Sequence, residues 1–353
     1  MSALLCLVLA AAPLQVRVLE RETPARVHLE AARFTCDGQP LPGTTFDAEA
    51  SIREVKVGDA KCTQLVGEDG VTVSVKSTTR KYEGQVRVSL EGGLLRLINV
   101  VDVEAYLPSV VKAEADGGKP AALEAQAVVS RTFAVTGRKR HERAGYHLCD
   151  LAHCQVYRGQ TGSSPEAEAA VKKTANLVLL IGGIVLKPAF FHSSCGGHTS
   201  RASEVFGEDA AGSAVSDVEN GKARCQGPDF TWSFEVEKDA LARAMGTAPA
   251  GIAIEPLRRD EAGRIVEVRV FGKRLGGQEF LSRAGRAFGW QAVRSLKFTT
   301  SGETDTALRL DGTGLGHGVG LCQLGAKSLA ERGVEVRGIL ARYFPESQLK
   351  PMP

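Results

Sequence analysis

Cysteine and histidine residues concentrate in two short pieces of this chain, residues 149–154 and 192–198. Thiolates and imidazoles at such close spacing are typical ligands of tetrahedral zinc. In an exported protein, however, thiols usually oxidise to disulfides. The sequence leaves both alternatives open. The zinc ligands would be Cys149, His153, Cys154 and Cys195, and the alternative disulfides would join Cys149 to Cys154 and Cys195 to Cys225.

A second concentration of unusual residues is the segment 311–325, DGTGLGHGVGLCQLG, which places six glycines around His317. No Walker lysine and no strand-to-helix dinucleotide unit accompanies it, so we do not expect a nucleotide site. Glycines do allow the backbone to approach a ligand closely, and His317 and Gln323 carry hydrogen-bonding side chains. The alternative is a purely structural loop.

The elements that would position these residues are partly visible in the pattern. Residues 121–135, AALEAQAVVSRTFAV, follow a proline and consist largely of good helix formers. This helix would place Gln126 and Ser130 on one face and Arg131 on the neighbouring one. The basic run RKRHER at 138–143 predicts a solvated surface. The apolar run 177–186 has ten residues with a Gly-Gly centre, which predicts a core hairpin rather than a membrane span.

The N-terminal part of the chain favours strands. From residue 14 to about 101, apolar and polar residues alternate in short runs. Cys36 and Cys62 are the only cysteines of this stretch, and we expect them to form a disulfide. Residues 1–13, MSALLCLVLAAAP, resemble a cleavable secretory signal, although a basic start is missing.

Composition limits the classes of function. The chain has 353 residues, 43% hydrophobic and 24% charged, which is typical of a soluble globular protein with two domains. The formal net charge of +3 is too small for a dominant phosphate-binding surface, so nucleic acid is not an expected partner.

Five separately spaced motifs now identify a family. The chain resembles the stage II sporulation protein D / amidase-enhancer (SpoIID/LytB) family from about residue 85 to the C-terminus. The motifs are VDVEAYL at 101–107, ALEAQAVVSRT at 122–132, CDLAHCQVYRG at 149–159, FFHSSCGGHT at 190–199 and GHGVGLCQLGA at 316–326.

This resemblance implies peptidoglycan as the substrate. Members similar to this chain are lytic transglycosylases that act on glycan strands without stem peptides, and others are described as enhancers of amidases. The catalytic glutamate of the first group falls on Glu114. One carboxyl group could act as both acid and base, because the C6 hydroxyl of the sugar replaces water and no cofactor takes part. A general acid needs a partly desolvated site, and the apolar neighbours Val110, Val111 and Ala113 favour one.

The resemblance also implies a substrate-binding set. Its members are Gln126, Arg131, His192, Ser193, Ser194, His317 and Gln323. Departures from the usual family residues are Ala115 for Met, Phe133 for Tyr, Leu315 and Leu324 for Trp, and Cys322 for Ser. The loss of tryptophan reduces the surface for stacking on sugars. The alternative function is therefore a noncatalytic peptidoglycan-binding protein or an enhancer of a cell-wall amidase.

We therefore expect an α+β fold: a signal at 1–13, a β-rich segment at 14–100, and a two-lobed core at 101–353 with a β-rich second lobe at 226–310. The expected location is the periplasm or cell wall, without a transmembrane helix. The zinc or disulfide tether should hold the loop of His192, Ser193 and Ser194 against a cleft at Glu114.

Overall fold

The computed structural model describes residues 12–207, 213–227 and 230–353, and the chain divides into two compact units. The first unit contains the chain up to Asp116 together with Phe133–Ala175, and the second contains Gly117–Thr132 and Asn176–Pro353. The boundary expected near residue 101 thus lies inside the first unit, and the domain boundaries stay a prediction. All but the last two residues of the expected signal segment lie outside the described residues.

The first unit begins with antiparallel strands, as the alternating pattern predicted. Strands β1 and β9 alternate buried with half-buried residues along their length, which is the pattern of a sheet with one face on a core. The strands are β1 (Leu14–Val18), β2 (Arg26–Glu30), β3 (Arg33–Cys36), β4 (Gln39–Leu41), β5 (Thr45–Ala50), β6 (Val55–Val57), β7 (Ala60–Cys62), β8 (Gln64–Glu68), β9 (Val71–Val75), β10 (Thr78–Tyr82), β11 (Gln85–Glu91), β12 (Leu94–Val101) and β13 (Leu148–Cys149).

These strands form two sheets. The seven-stranded sheet has the order β13-β1-β12-β11-β8-β3-β4, and the six-stranded sheet has the order β10-β9-β2-β5-β6-β7. The predicted disulfide between Cys36 and Cys62 is confirmed, and it joins β3 of the first sheet to β7 of the second. Strand β13 pairs in parallel with β1, so the sheet fixes the start of the motif at 149–159.

Helices complete the first unit. Helix α1 (Val103–Ala115) follows β12 directly and begins at Asp102, whose carboxylate accepts a hydrogen bond from the Glu104 backbone. Helix α2 (Pro120–Thr136) confirms the helix predicted at 121–135 and belongs to both units. Helix α3 (Pro165–Lys173) starts with Ser164 as its cap and proline as its first residue. Short 3₁₀ turns lie at Gly137–Lys139, Glu142–Ala144 and Gln160–Gly162.

The second unit mixes short sheets with helices, so the predicted α+β class is confirmed. Its strands are β14 (Leu177–Ile181), β15 (Ile184–Val185), β16 (Phe191–His192), β17 (Val218–Glu219), β18 (Lys222–Ala223), β19 (Thr231–Glu237), β20 (Glu255–Arg259), β21 (Ile265–Val270), β22 (Lys273–Gly276), β23 (Phe298–Glu303), β24 (Ala307–Thr313), β25 (Leu321–Cys322) and β26 (Gln348–Pro351). Its other helices are α4 (Ala202–Phe206), α5 (Lys238–Met245), α6 (Gly277–Phe288), α7 (Gln323–Glu331) and α8 (Val336–Tyr343).

Hydrophobic clusters among the described residues stabilise this unit, and two of them are large. One core gathers residues between Trp232 and Leu310, from α5, α6 and the strands around them. The other packs α2, β14, α7 and α8 around buried cysteines. The hairpin predicted at Gly182-Gly183 is present, with Ile181 opposite Ile184. Its tip is not part of the core, since Ile184 retains 75% of its accessible surface. Among the described residues, we find no helix with the length and apolar character that a bilayer crossing requires.

Candidate functional site

Glu114 lies near the C-terminal end of α1 and is half-buried. Its Oε1 atom accepts a hydrogen bond of 2.9 Å from the backbone N–H of Val156. Val110 and Val111 of the same helix are fully buried, as the sequence predicted, whereas Ala113 is exposed. The helix therefore presents this carboxylate at the margin of the core, against the segment 149–158.

The segment 149–158 is held against α1 at two further points. The hydroxyl of Tyr106 donates to Gln155 Oε1 at 3.1 Å, and the backbone N–H of Arg158 donates to Ser109 Oγ at 2.9 Å. Tyr106 and Ser109 are three residues apart, which places them on one face of the helix. A row of polar side chains on α1 thus positions the backbone that binds Glu114.

A buried ion pair holds the same segment to the β-sheets. Asp150 Oδ2 accepts from Arg80 at 2.8 Å and from the backbone of Leu19 at 2.8 Å, while its side chain keeps only 2% exposure. Arg80 also donates to the Tyr157 carbonyl. Because a buried charge is costly unless it is paired, this arrangement strongly favours one conformation of the segment.

Four metal-ligating side chains converge at the start of this segment. The donor atoms of His141, Cys149, His153 and Cys154 all lie within 4.8 Å of one another. His141 Nε2 is 3.3 Å from Cys154 Sγ, and His153 Nδ1 is 3.8 Å from Cys149 Sγ and 3.6 Å from Cys154 Sγ. Zinc bonds of about 2.3 Å to sulfur and 2.0 Å to nitrogen place tetrahedral ligands roughly 3.5 Å apart. The donor set and its spacing fit a structural zinc site.

The two thiols of this first cluster have opposite pKa shifts, because the hydrogen bond with Cys154, together with burial, raises the pKa of Cys149. A hydrogen bond from Cys149 is the largest cause that lowers the pKa of Cys154, to about 7, and Arg140 contributes. Burial, His153 and Arg140 lower the pKa of His141, which keeps its imidazole neutral at pH 7. Thiolate and neutral imidazole are the forms that bind zinc.

His141 is a ligand candidate that the sequence did not reveal. It lies in the run RKRHER, which predicted only a solvated surface. The 3₁₀ turns fold this run back, and the imidazole stacks on Tyr146 at 4.6 Å between ring centroids. The spacing between residues 141, 149, 153 and 154 was the available signal.

The predicted ligand Cys195 is not part of this first cluster. It lies in the second unit, with Asp217, Cys225 and Cys322. The structure therefore does not group Cys195 with His141, Cys149, His153 and Cys154, and a tether that includes the His192 segment stays a prediction. Cys149 and Cys154 are free thiols in the structure, as are Cys195 and Cys225, so neither alternative disulfide is formed.

A groove borders the other side of the segment 149–158 and measures about 630 Å³. Its walls come from the β1–β2 connection, β10 and the segment itself, including Val156, whose N–H binds Glu114. Arg21, Arg80 and Arg158 line it with polar groups. A polar groove of this size can accept a sugar-sized ligand.

In the second unit, predicted substrate-binding residues on α2 and α7 form a hydrogen-bonded row. Gln323 donates to Gln126 Oε1 at 3.4 Å, and Gln126 donates to Ser130 Oγ at 2.9 Å. Arg131 donates to the Leu177 carbonyl at 3.2 Å. Gln126 and Arg131 are almost completely buried, so these contacts position helices, and their contact with glycan stays a prediction.

His192 and His317 lie together, with 5.6 Å between ring centroids. His192 Nδ1 is 3.0 Å from the Val319 carbonyl, and its buried Nε2 has no hydrogen-bond partner among the described residues. Burial lowers the pKa of His192, and burial with the charge of Arg264 lowers that of His317 to about 4. Both imidazoles are therefore neutral at pH 7.

Two further predicted residues adjoin this pair. Ser194 is fully buried, pairs with Leu315 through its backbone, and its hydroxyl donates to the Cys225 carbonyl at 3.4 Å. Ser193 is half-buried, and its carbonyl accepts from the Leu324 backbone at 3.0 Å. Phe190 and Phe206 pack against His317, and Phe206 retains 36% exposure.

The glycines around His317 do permit close approach, but to groups of the protein itself. A Cβ atom at Gly318 would collide with the Arg264 guanidinium, and one at Gly320 with the Phe190 carbonyl. These residues also adopt positive φ angles of 82° and 74°, which favour glycine. For these two glycines the structure therefore supports the structural alternative.

Comparison with known proteins connects these observations to a family. Residues 91–180 match the family model of the stage II sporulation protein SpoIID, which covers α1, Glu114 and the first cluster. The chain is 26% identical over 272 residues to an uncharacterized protein of Brachyspira hyodysenteriae, covering 75% of this chain and 71% of that protein.

Two named relatives agree with this match. A stage II sporulation protein D of Bacillus amyloliquefaciens is 27% identical over 263 residues, covering 69% of this chain and 73% of the relative. An amidase enhancer of Bacillus subtilis is 26% identical over 275 residues, covering 65% of this chain and 38% of the relative. The resemblance to the stage II sporulation protein D and amidase-enhancer family is thereby confirmed.

Proposed function

We propose that this protein acts on the bacterial cell wall as a peptidoglycan lytic transglycosylase, with Glu114 as the single acid and base. The observation that carries the proposal is the anchoring of Glu114 by the Val156 N–H, on a segment that also forms a groove wall. The likeness to stage II sporulation protein D supports the same assignment. We also propose that the protein is exported to the periplasm or cell wall.

The reaction needs one carboxyl group. Protonated Glu114 donates its proton to the oxygen between N-acetylmuramic acid and N-acetylglucosamine, and the bond from C1 to that oxygen breaks. The resulting carboxylate then accepts the proton of the C6 hydroxyl as that oxygen bonds to C1. The glutamate returns to its starting state and the product is a 1,6-anhydro sugar, so no water is consumed.

A zinc ion held by His141, Cys149, His153 and Cys154 would have a structural role. It would join His141 to the segment 149–158, which binds Glu114, and it would stabilise this arrangement because metal binding free energy is also folding free energy. A second-sphere contact already exists, since Arg140 donates to the His153 carbonyl at 3.2 Å. In this proposal the ion takes no part in the bond cleavage.

Aromatic residues of the second unit offer a surface for sugars. Phe206 is partly exposed and packs on Phe190 with ring centroids 4.7 Å apart. These rings can replace the stacking surface that is lost where Leu315 and Leu324 stand. We include them, with His192, His317 and the remaining predicted substrate-binding residues, in the glycan-binding part of the proposal.

A second candidate function is a noncatalytic peptidoglycan-binding protein or an enhancer of a cell-wall amidase. The observation that favours it is the likeness to the amidase enhancer of Bacillus subtilis. In that case the role of Glu114 would be to support the segment 149–158. A glutamine at this position could do the same, because its amide oxygen still accepts the Val156 hydrogen bond.

Product analysis separates the two functions. The full chain is incubated with glycan strands that carry or lack stem peptides, and the products are identified by mass spectrometry. We expect 1,6-anhydro products from the stripped strands, and we expect Glu114→Gln to abolish them while the folded state is retained. Glu166→Gln is the matched control, since this glutamate is exposed on α3 of the same unit.

Products with reducing ends would show that water is the acceptor and would refute the transglycosylase assignment. If no bond is cleaved by the wild type and Glu114→Gln leaves glycan pull-down and amidase stimulation unchanged, the second function replaces the first.

A further inference from the structure

A second cluster of metal-ligating groups lies in the core of the second unit. The Sγ atoms of Cys195, Cys225 and Cys322 and a carboxylate oxygen of Asp217 lie within 4.8 Å of one another. Each of the four residues has 0% exposure. Three thiols and a carboxylate grouped away from solvent are an unusual content for a hydrophobic core.

Distances within this second cluster agree with ligands around one ion. Cys195 Sγ is 3.4 Å from Cys225 Sγ and 3.5 Å from Asp217 Oδ2. For a tetrahedral ion, bonds of about 2.3 Å to sulfur and 2.0 Å to oxygen place two sulfurs roughly 3.8 Å apart and a sulfur and an oxygen roughly 3.5 Å apart. A disulfide would instead require about 2.05 Å between sulfurs.

The fold brings the ligands together from separate segments. Strand β16 pairs in parallel with β25 and sets His192 opposite Cys322, so the turn after β16 carries Cys195 to Cys322. The β17–β18 hairpin places Asp217 and Cys225 at its two ends, where the Arg224 N–H donates to the Asp217 carbonyl at 2.8 Å. The arrangement is therefore built into the pairing of the strands.

A hydrogen-bond donor points at one of the sulfur atoms. The backbone N–H of Cys195 donates to Cys322 Sγ at 3.2 Å. A backbone donor of this kind is an outer contact that fixes the position of a ligating sulfur.

The carboxylate of Asp217 is oriented by groups around it. Tyr343 donates its hydroxyl to Oδ2 at 2.9 Å, while Arg342 and Arg224 lie 3.4 and 3.5 Å from Oδ1. A Cβ atom at Gly325 would collide with both the Tyr343 hydroxyl and the Asp217 carboxylate. Such outer contacts around a ligating carboxylate are characteristic of metal centres.

Positive charge surrounds the cluster. Arg264, with 1% exposure, donates to the Cys195 carbonyl at 2.6 Å, and Lys297 donates to the Gly196 carbonyl at 2.8 Å. Together with the two arginines at Asp217, these cations offset the excess negative charge that three thiolates and one carboxylate leave on a divalent ion.

We propose that Cys195, Asp217, Cys225 and Cys322 bind a second structural zinc ion, separate from the first cluster. This ion joins the turn after β16, the β17–β18 hairpin and the start of α7. The function of this ion is to fix the backbone on either side of His192. This proposal does not depend on whether the protein cleaves glycan. A disulfide between Cys195 and Cys225 is the competing arrangement, and it would leave Cys322 and the Asp217 carboxylate buried together without a shared partner.

The test is the metal content of the full chain, purified without a metal-affinity step. We expect Cys322→Ser, which changes one sulfur to oxygen, to lower zinc by about one ion per chain relative to wild type. Cys154→Ser is the matched control, because it changes a ligand of the first cluster. This variant should keep the zinc ion that Cys195, Asp217, Cys225 and Cys322 bind. Asp217→Asn should weaken zinc retention against a chelator while preserving side-chain volume.

Thiol chemistry on the wild type covers the case in which Cys322→Ser does not fold. The chain is alkylated in denaturant without reductant, with and without a chelator, and mapped by peptide mass. Protection of residues 195, 225 and 322 that disappears with zinc removal supports the proposal. A peptide pair linked through Cys195 and Cys225, or unchanged zinc content in folded Cys322→Ser, would overturn it.

Discussion

Removal of the Ser109 hydroxyl should loosen the segment 149–158 without unfolding α1. Ser109 is 1% exposed, and its Oγ atom accepts the Arg158 N–H at 2.9 Å. Ser109→Ala leaves that part-buried N–H without its acceptor, and the loss of this hydrogen bond costs about 0.5–1.5 kcal/mol. Because each 1.4 kcal/mol is tenfold in an equilibrium, local opening should increase roughly 2- to 12-fold.

Hydrogen exchange followed by mass spectrometry measures this effect. Peptides that cover residues 154–158 should exchange faster in Ser109→Ala by that factor, and turnover of stripped glycan should fall, because the Val156 N–H no longer holds Glu114 in place. Ser163→Ala is the control, since Ser163 bonds to Glu168 at the surface and its loss should change stability by less than about 0.5 kcal/mol.

Two results would refute this reasoning. Unchanged exchange at 154–158 would mean that the hydrogen bond to Ser109 does not hold the segment. Equally faster exchange throughout α1 and the sheets would mean that the substitution destabilises the whole unit rather than the segment.

Three further predictions concern stability. Gly325→Ala lies in α7, where helix propensity alone gains about 1 kcal/mol, yet the collision with the Tyr343 hydroxyl and the Asp217 carboxylate should make the variant less stable by about 2 kcal/mol in urea unfolding. The control is Gly276→Ala, which has open space around it and should cost less than about 1 kcal/mol, the loss expected from alanine at the N-cap of α6. Replacement of Cys36 and Cys62 by alanine opens a loop with a sequence separation of 26 and should lower the free energy of unfolding by about 3.5 kcal/mol. Equal stability of wild type and variant in urea without reductant would contradict this prediction. The pKa of His317 is lowered to about 4, so the unfolded chain binds a proton at higher pH than the folded chain does. The free energy of unfolding should therefore fall as pH decreases from about 6.5 to 4, by at most about 3 kcal/mol. His317→Asn should reduce this dependence of stability on pH, and an unchanged dependence would count against the lowered pKa.

Local patterns in the sequence predicted local structure well. Helix α2 lies at the residues that its helix formers indicated, and the strands β1 to β12 lie in the stretch of alternating residues, because each element is defined by neighbours in sequence. The Gly182-Gly183 turn was also predictable from the need for positive φ, although its exposed tip was not. Burial depends on which other elements pack there, and sequence periodicity does not contain that information.

The assignment of ligands to sites shows where sequence reasoning stops. Proximity in sequence grouped Cys149, His153 and Cys154, which do lie together in the structure, but it added Cys195 and omitted His141. A 3₁₀ turn inside a charged run brings His141 to its partners, and no hydrophobic pattern marks that turn.

The second cluster depends on pairings that no local pattern encodes. Cys195 and Cys322 are 127 positions apart and meet because the short strands β16 and β25 pair in parallel. Strands of two residues carry no periodicity, so only the composition of their motifs could signal them. Those motifs, FFHSSCGGHT and GHGVGLCQLGA, each contribute one cysteine and one of the paired histidines. The same strand pairing therefore positions both the proposed ion and the proposed sugar-binding imidazoles, which is why loss of the ion should disturb His192 before it disturbs Glu114 in the other unit.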